Sequence, residues 1–418
     1  MATLAKYAKE TFWAVATKLV GGLFYYALIY LLTRRMTIEV WGEWSGFFAI
    51  LNVILLLSDQ GINLATKRYV AAVRDTSDLA AVIRTTFLLR LIASVSYAVV
   101  VAVFAGMLLG WLHQPQFLPL IRKALLLIAF YGVLEYFKSL FEALHRLRFT
   151  FVVTALEHCL KFVFVFILFR GNENFSAIVV AFTVAVVIAS SAGAFQTITA
   201  IPRLFASTLR SPLLRQIYLY SIPVMLTSIG GFIALEIDVI MLKNLSNNQE
   251  TGIYAAAKQI VAFLPQISLT LSMATIPGLA KLDDQTVAAQ RKFYYRMLAA
   301  LAAIYIVIVA GLVVFARWGI SLFFPPQYQA ASTPLLFLIP FVLFNATTIY
   351  TGSLMIYRGL AWQRSLNVTL TLIANIALNF WLIPIWGSAG SAAASSIAYF
   401  PYCILNLRAA DRAFQHSG

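Results

Sequence analysis

The chain is a succession of apolar runs, each long enough to cross a bilayer, and no other feature constrains its fold as strongly. A helix rises 1.5 Å per residue, so about 20 apolar residues traverse the roughly 30 Å hydrocarbon core. Between charged or Pro/Gly-rich breaks, such runs fall near 11–33, 43–65, 84–110, 117–137, 150–169, 175–196, 219–242, 252–279, 297–316, 332–357, 365–383 and 388–407. Lipid offers no partner to an open backbone, so runs of this kind must be helices. Hydrophobic residues make up 61% of the 418 and charged residues 11%, a balance unlike that of soluble globular chains. The fold class expected is an all-α polytopic membrane protein of about twelve transmembrane helices.

The remaining charge is unevenly placed. Of 31 Lys+Arg, most fall in one set of alternate connections, among them Lys67, Arg68, Arg146, Arg148, Arg203, Arg210, Arg291 and Arg408. The opposite set holds Arg34, Arg35, Arg122, Lys123, Arg170, Lys243 and Arg317. Cationic loops stay on the cytoplasmic side, so both termini are expected there, in a multi-pass plasma-membrane protein. The net charge of +15 is thus a topological signature, and nucleic acid is not an expected partner. Cys159 and Cys403 lie in apolar runs and imply no disulfide framework, and the histidines form no metal-ligand spacing. A Walker-type phosphate loop is absent, so no cofactor is expected. The apolar stretch from Thr11 is too long for a signal-peptide core and reads as a span.

The two halves resemble each other. Val20-Gly21-Gly22-Leu23-Phe24 matches Ile229-Gly230-Gly231-Phe232-Ile233, and at the same offset Arg34 falls on Lys243. The expected organisation is an N-terminal six-helix bundle at 1–196, a basic linker at 197–218 and a C-terminal six-helix bundle at 219–418. Six is even, so both bundles enter from one side, with a pseudo-twofold axis along the membrane normal. The linker carries Arg203, Arg210 and Arg215 among leucines and reads as a segment lying on the inner leaflet.

Ionisable side chains inside spans cost about 2.5–3.5 kcal/mol each near the bilayer centre and need a reason. Lys18, Lys161 and Lys258 are candidates for a cationic cavity that receives an anionic headgroup. Glu157, Glu236 and Asp238 are candidates for coupling to a proton or Na⁺, joined by Asn375 and Asn379, which project from one helical face. Each has a plainer reading. Glu157 is one turn from Lys161, and Glu236 or Asp238 can neutralise Lys258, with Asp238 at about the same depth as Lys258. Lys18 can snorkel to the inner surface, and the two asparagines can bond neighbouring helices.

Several motifs are similar to those of one known group: Trp41-Gly42-Glu43-Trp44-Ser45, Asp59-Gln60-Gly61-Ile62, and Glu236-Ile237-Asp238 followed by Gly252-Ile253-Tyr254-Ala255-Ala256-Ala257. Phe324-Pro325-Pro326-Gln327-Tyr328 and Pro384-Ile385-Trp386-Gly387-Ser388-Ala389-Gly390 extend the likeness over nearly the whole chain. The chain resembles the O-antigen and capsule type polysaccharide flippases of the multidrug/oligosaccharidyl-lipid/polysaccharide exporter superfamily. That resemblance implies a non-enzymatic transporter in a bacterial inner membrane, acting in lipopolysaccharide or exopolysaccharide synthesis. It implies translocation of undecaprenyl-diphosphate-linked oligosaccharide to the outer leaflet by ion-coupled alternating access. Its implied partners are the lipid-linked glycan, membrane lipid and other polysaccharide assembly proteins. The related lipid II flippases have fourteen spans and an arginine-rich cavity, whereas this chain has about twelve and interior lysines. Two alternatives remain: a multidrug efflux transporter of the same superfamily, and a membrane polysaccharide polymerase or glycosyltransferase. The short outward loops disfavour the latter, and uncompensated interior carboxylates would favour the former.

Overall fold

The structure is a computed structural model that describes residues 2–73, 76–170, 174–201, 211–280 and 287–415. All described regular structure is helical. The helices are α1 (Ala2–Arg35), α2 (Ile38–Leu57), α3 (Ile62–Ala71), α4 (Thr76–Trp111), α5 (Leu118–Lys123), α6 (Leu125–Ala143), α7 (Leu147–Leu168) and α8 (Phe175–Ala200). They continue as α9 (Ser211–Leu245), α10 (Asn248–Val261), α11 (Pro265–Ala280), α12 (Val287–Phe323), α13 (Ser332–Phe337), α14 (Ile339–Tyr357) and α15 (Ala361–Gln415). Among the described residues nine helical stretches are long and apolar enough to cross a membrane, or ten if α5 and α6, bent by 56°, form one span.

Two further features bear on the expected spans. Helix α9 adds 35 residues. Helix α15 runs for 55 residues, about 80 Å at 1.5 Å each, far more than one hydrocarbon thickness. It is interrupted at Gly387 (φ 54°, ψ −128°), a left-handed conformation that suits glycine. Glu250 stabilises the restart: its Oε2 accepts the Ser388 N–H at 2.7 Å, an anion at the N-terminus of the second half. A side chain at 387 would strike that carboxylate. The sequence reading divides this segment at 383 and 388, on either side of the break. Of the expected basic linker, 197–200 close α8 and 211–218 open α9, while Arg203 and Arg210 lie outside the described residues.

The chain divides into two compact units, one of residues 1–36 and 50–229, the other of 37–49 and 230–418. In the first, α7 packs on α1 and α8, and α6 on α3, α4 and α8. Its core is apolar and aromatic, with Leu134, Tyr136, Phe137, Leu140 and Phe141 of α6 buried. In the second, α14 packs on α11, α12 and α15, and α13 on α15. Here Tyr294, Tyr305, Tyr350 and Met355 are buried. The outer faces of α4 and α12 carry large exposed apolar side chains such as Val103, Met107, Val307 and Val314, as lipid-facing helices require.

The two halves of the chain, α1–α8 and α9–α15, use the same order of parts. Each begins with a helix of 34 or 35 residues. A broken second helix follows (α2/α3, α10/α11), then one of 36 or 37 residues. Next come a 3-10 turn and a six-residue helix (α5, α13), followed by helices of 19 residues each (α6, α14). Beside each break a tyrosine adds a second hydrogen bond to a carbonyl that already accepts a backbone N–H, Ile54 from Ser58 and Leu264 from Ile267. The Tyr97 hydroxyl donates to the Ile54 carbonyl at 2.9 Å near the α2/α3 break. The Tyr305 hydroxyl donates to the Leu264 carbonyl at 2.5 Å, just before Pro265 opens α11, and accepts from Ser268 Oγ at 3.0 Å.

Candidate functional site

The first unit contains a chain of alternating charges. Glu157 of α7 is buried, its side chain 3% exposed, and each carboxylate oxygen meets one lysine. Lys161, one turn along α7, donates to Oε1 at 2.5 Å, and Lys138 of α6 donates to Oε2 at 2.7 Å. Lys138 also donates to Glu135 at 2.7 Å, while the Lys161 ammonium lies 5.3 Å from the centre of the Phe182 ring. An ammonium has three donors, so Lys161 spends one on a carboxylate and Lys138 two. Arg90 of α4, wholly buried and within electrostatic reach of Glu135, donates through Nη1 to the Asp59 carbonyl at 2.9 Å. The Asp59 carboxylate is 4.0 Å from the same nitrogen and accepts the Asn63 N–H that opens α3.

The second unit treats its charges differently. Glu236 and Lys258 form a separate ion pair at 2.7 Å, and Lys258 also donates to the Leu235 carbonyl at 2.5 Å. Asp238, two residues along α9, forms no ion pair among the described residues. It is held by neutral donors from α10 and α15: the Tyr254 hydroxyl at 2.8 Å, Ser395 Oγ at 2.6 Å and Asn379 Nδ2 at 2.8 Å. Asn379 Nδ2 also reaches Asn375 Oδ1 at 3.0 Å, and Asn375 Nδ2 reaches Ser395 Oγ at 3.3 Å. The side-chain Oδ1 of Asn379 is buried with no hydrogen-bond partner, as is Ser391 Oγ. The Gly387 break allows one merged helix to supply Asn375 and Asn379 before it and Ser395 after it.

The expected residues therefore fall into separate groups. Glu157 and Lys161 meet, as their one-turn spacing predicts. Lys258 meets Glu236 and not Asp238: its ammonium bonds the Glu236 carboxylate and the carbonyl of the preceding residue, Leu235. Asp238, Asn375 and Asn379 come together in one hydrogen-bonded cluster. Lys18 is exposed on α1 and forms no ion pair among the described residues. Glu135, Lys138, Arg90, Asp59, Tyr254 and Ser395 were not among the expected site residues. Lys138 falls just beyond the span expected near 117–137, a boundary placed too early in the chain. The chain spends Pro115–Lys123 on a 3-10 turn and a short helix, so α6 starts at Leu125 and carries Lys138 inward. The one available signal was the Glu135–Lys138 spacing, which puts both on one helical face.

The fold matches solved transporter structures. One is a multidrug-resistance MATE family transporter of the MOP superfamily in an inward-facing conformation, at TM-score 0.75 and 14% identity, covering 96% of each chain. Another is the lipid II flippase MurJ in an inward closed conformation, at TM-score 0.70 and 12% identity, covering 97% of this chain and 89% of that one. A MOP superfamily transporter from Pyrococcus furiosus matches at TM-score 0.63 and 15% identity over 97% and 91%. At these identities the likeness is one of fold. The fold is that of a multi-pass membrane transporter of the MATE and MurJ type. The family described as polysaccharide biosynthesis protein matches residues 7–283, and the chain belongs to that family. No curated protein matches the chain.

Proposed function

We propose that the protein moves undecaprenyl-diphosphate-linked oligosaccharide from the inner to the outer leaflet of a bacterial inner membrane, with both termini cytoplasmic. The observation that carries this reading is the pair Lys138 and Lys161 held on either side of the buried Glu157. Two ammonium groups oriented by one carboxylate keep unspent N–H donors, and a diphosphate is the anion of a lipid carrier that suits them. Lys161 is thereby part of the headgroup site, joined by Lys138. Lys18, exposed on α1, is a further cation for the cargo, and Lys258 reaches cargo only when Glu236 releases it. Family membership supports the glycan as the remainder of the cargo.

Coupling belongs to the second unit. Asp238 is a carboxylate with neutral partners, and Asn375, Asn379, Ser391 and Ser395 add oxygen atoms around it. Hard monovalent cations take oxygen ligands of this kind, and a proton takes the carboxylate itself. In this reading Glu157 and Glu236 orient lysines, while Asp238 exchanges the Na⁺ or proton that drives alternating access.

The test is reconstitution in vesicles with a fluorescent lipid-linked oligosaccharide, scored by accessibility of label from the opposite face. A gradient of Na⁺ or protons is expected to accelerate exposure. Vesicles whose label moves no faster than in protein-free controls, under either gradient, contradict the reading.

A further inference from the structure

Arg90 is poorly provided for in the conformation described. It is buried to 0% exposure, yet Nε and Nη2 have no hydrogen-bond partner. Its guanidinium lies against Gly132 of α6, where a Cβ would collide with Nη2. The absence of a side chain at 132 thus makes the space the guanidinium fills. A buried guanidinium with unpaired donors is costly, and an acceptor that can reach it gains accordingly. Two carboxylates lie within electrostatic reach, those of Asp59 and Glu135. Asp59 is engaged at the start of α3 through Asn63. Glu135 stands three residues beyond Gly132 and so on the same face of α6, the face that meets Arg90. Its side chain is 32% exposed, which leaves it room to turn, whereas Glu157 at 3% has little.

We propose that Glu135 is a two-position carboxylate: it holds Lys138 while the lysine pair is empty, and turns to Nε and Nη2 of Arg90 when a diphosphate takes Lys138. The inference rests on the reading of Lys138 and Lys161 as the anion site and adds how that site is kept closed to other anions. A bound diphosphate displaces Glu135 and leaves Glu157 in place. The displaced carboxylate is received by donors that otherwise have no partner, so its departure from Lys138 is offset. Arg90 also holds the carbonyl of Asp59 at the α2/α3 break, so cargo at Lys138 is sensed there through one guanidinium. Glu135 and Arg90 are positioning residues in this scheme and do not touch the cargo.

The experiment measures equilibrium binding of undecaprenyl diphosphate to the full chain in nanodiscs, for the native protein and for Glu135→Gln, Arg90→Met, Arg90→Lys and Glu135→Gln with Arg90→Met. Glu135→Gln removes the competing anion and is expected to tighten binding by about tenfold, the size of one charge-assisted hydrogen bond that need not be broken. Arg90→Met removes the receiving donors and is expected to weaken binding by a similar factor. In the double variant no carboxylate needs receiving, so the loss from Arg90→Met vanishes, an interaction that a merely structural role for Arg90 would not produce. Arg90→Lys keeps the charge and the fold, and is expected to fall between the native protein and Arg90→Met. Binding in the native protein that is lost in Lys138→Gln but unchanged in Glu135→Gln overturns the two-position carboxylate alone. Absence of binding in every variant and in the native protein overturns the lysine-pair reading and the inference with it.

Discussion

The two halves of the chain share an order of helices, a broken second helix and a tyrosine beside the break, yet they settle their buried charge by opposite means. In the first, Asp59 at the α2/α3 break, Arg90 of α4, Glu135 and Lys138 of α6, and Glu157 and Lys161 of α7 alternate in sign. In the second, Asp238 stands among hydroxyls and amides, and the neighbouring Glu236 pairs with Lys258. The repeated parts carry the fold, and the parts that differ carry the chemistry. Full charges of both signs can exchange partners with an anion, whereas dipoles around one carboxylate leave its charge for a cation to neutralise.

Five substitutions and one control sharpen or break that contrast. The largest effect is expected from Lys138→Met, which leaves Glu135 and Glu157 without their shared cation; a loss of about 3–5 kcal/mol is expected for breaking a buried pair on one side. Thermal unfolding in detergent checks it, and an unchanged melting temperature would mean that the alternating chain is not a structural unit. Gly132→Ala should cost about 1–3 kcal/mol by pushing on the Arg90 guanidinium, as overpacking does. The matching control is Gly231→Ala, where a Cβ meets nothing within 4 Å.

In Asp238→Asn the amide retains one acceptor oxygen for three donors, so a loss of about 1–2 kcal/mol is expected from the donor left unpaired. Its functional effect should be greater than its structural one: transport in vesicles should lose its response to an ion gradient. A variant that transports normally and still responds to the gradient would remove Asp238 from coupling. The smallest effects belong to the shared scaffold. Tyr97→Phe and Tyr305→Phe each remove one hydrogen bond to a carbonyl beside the break and should each cost about 1 kcal/mol, alike in the two halves. Unequal losses in calibrated unfolding experiments would show that the two breaks are not built alike.

Much of the fold is legible in the sequence because bilayer thickness fixes helix length, and charged or proline-rich breaks separate the runs. The Gly21-Gly22 and Gly230-Gly231 match points to the repeat that the helix lengths then display. Pairing along one helix is equally legible, as Glu157 and Lys161 show. Pairing between helices is not, since it depends on rotation and depth that a change of a few residues in a boundary alters. The early boundary placed on α6 is what hid Lys138, and without Lys138 the meaning of Glu157 was incomplete. Depth counted from a connector leaves Lys258 to either Glu236 or Asp238; in the structure Lys258 pairs with Glu236, and Asp238 faces Tyr254, Asn379 and Ser395. Arg90 escaped notice for a third reason: a cation near the end of a span reads as a surface group, and only the gap at Gly132 admits it to the interior.

The division of labour between the units is tested most directly by measuring two ligands on the same preparations. Undecaprenyl diphosphate and radiolabelled sodium would be titrated against the native protein, the Lys138→Gln/Lys161→Gln variant and Asp238→Asn, all in nanodiscs, with sodium uptake repeated as proton release on cation binding. The account predicts that the lysine variant loses the lipid and keeps the cation or proton exchange, and that Asp238→Asn does the reverse. Loss of both ligands from either variant in a folded protein, or retention of both in each, would contradict it.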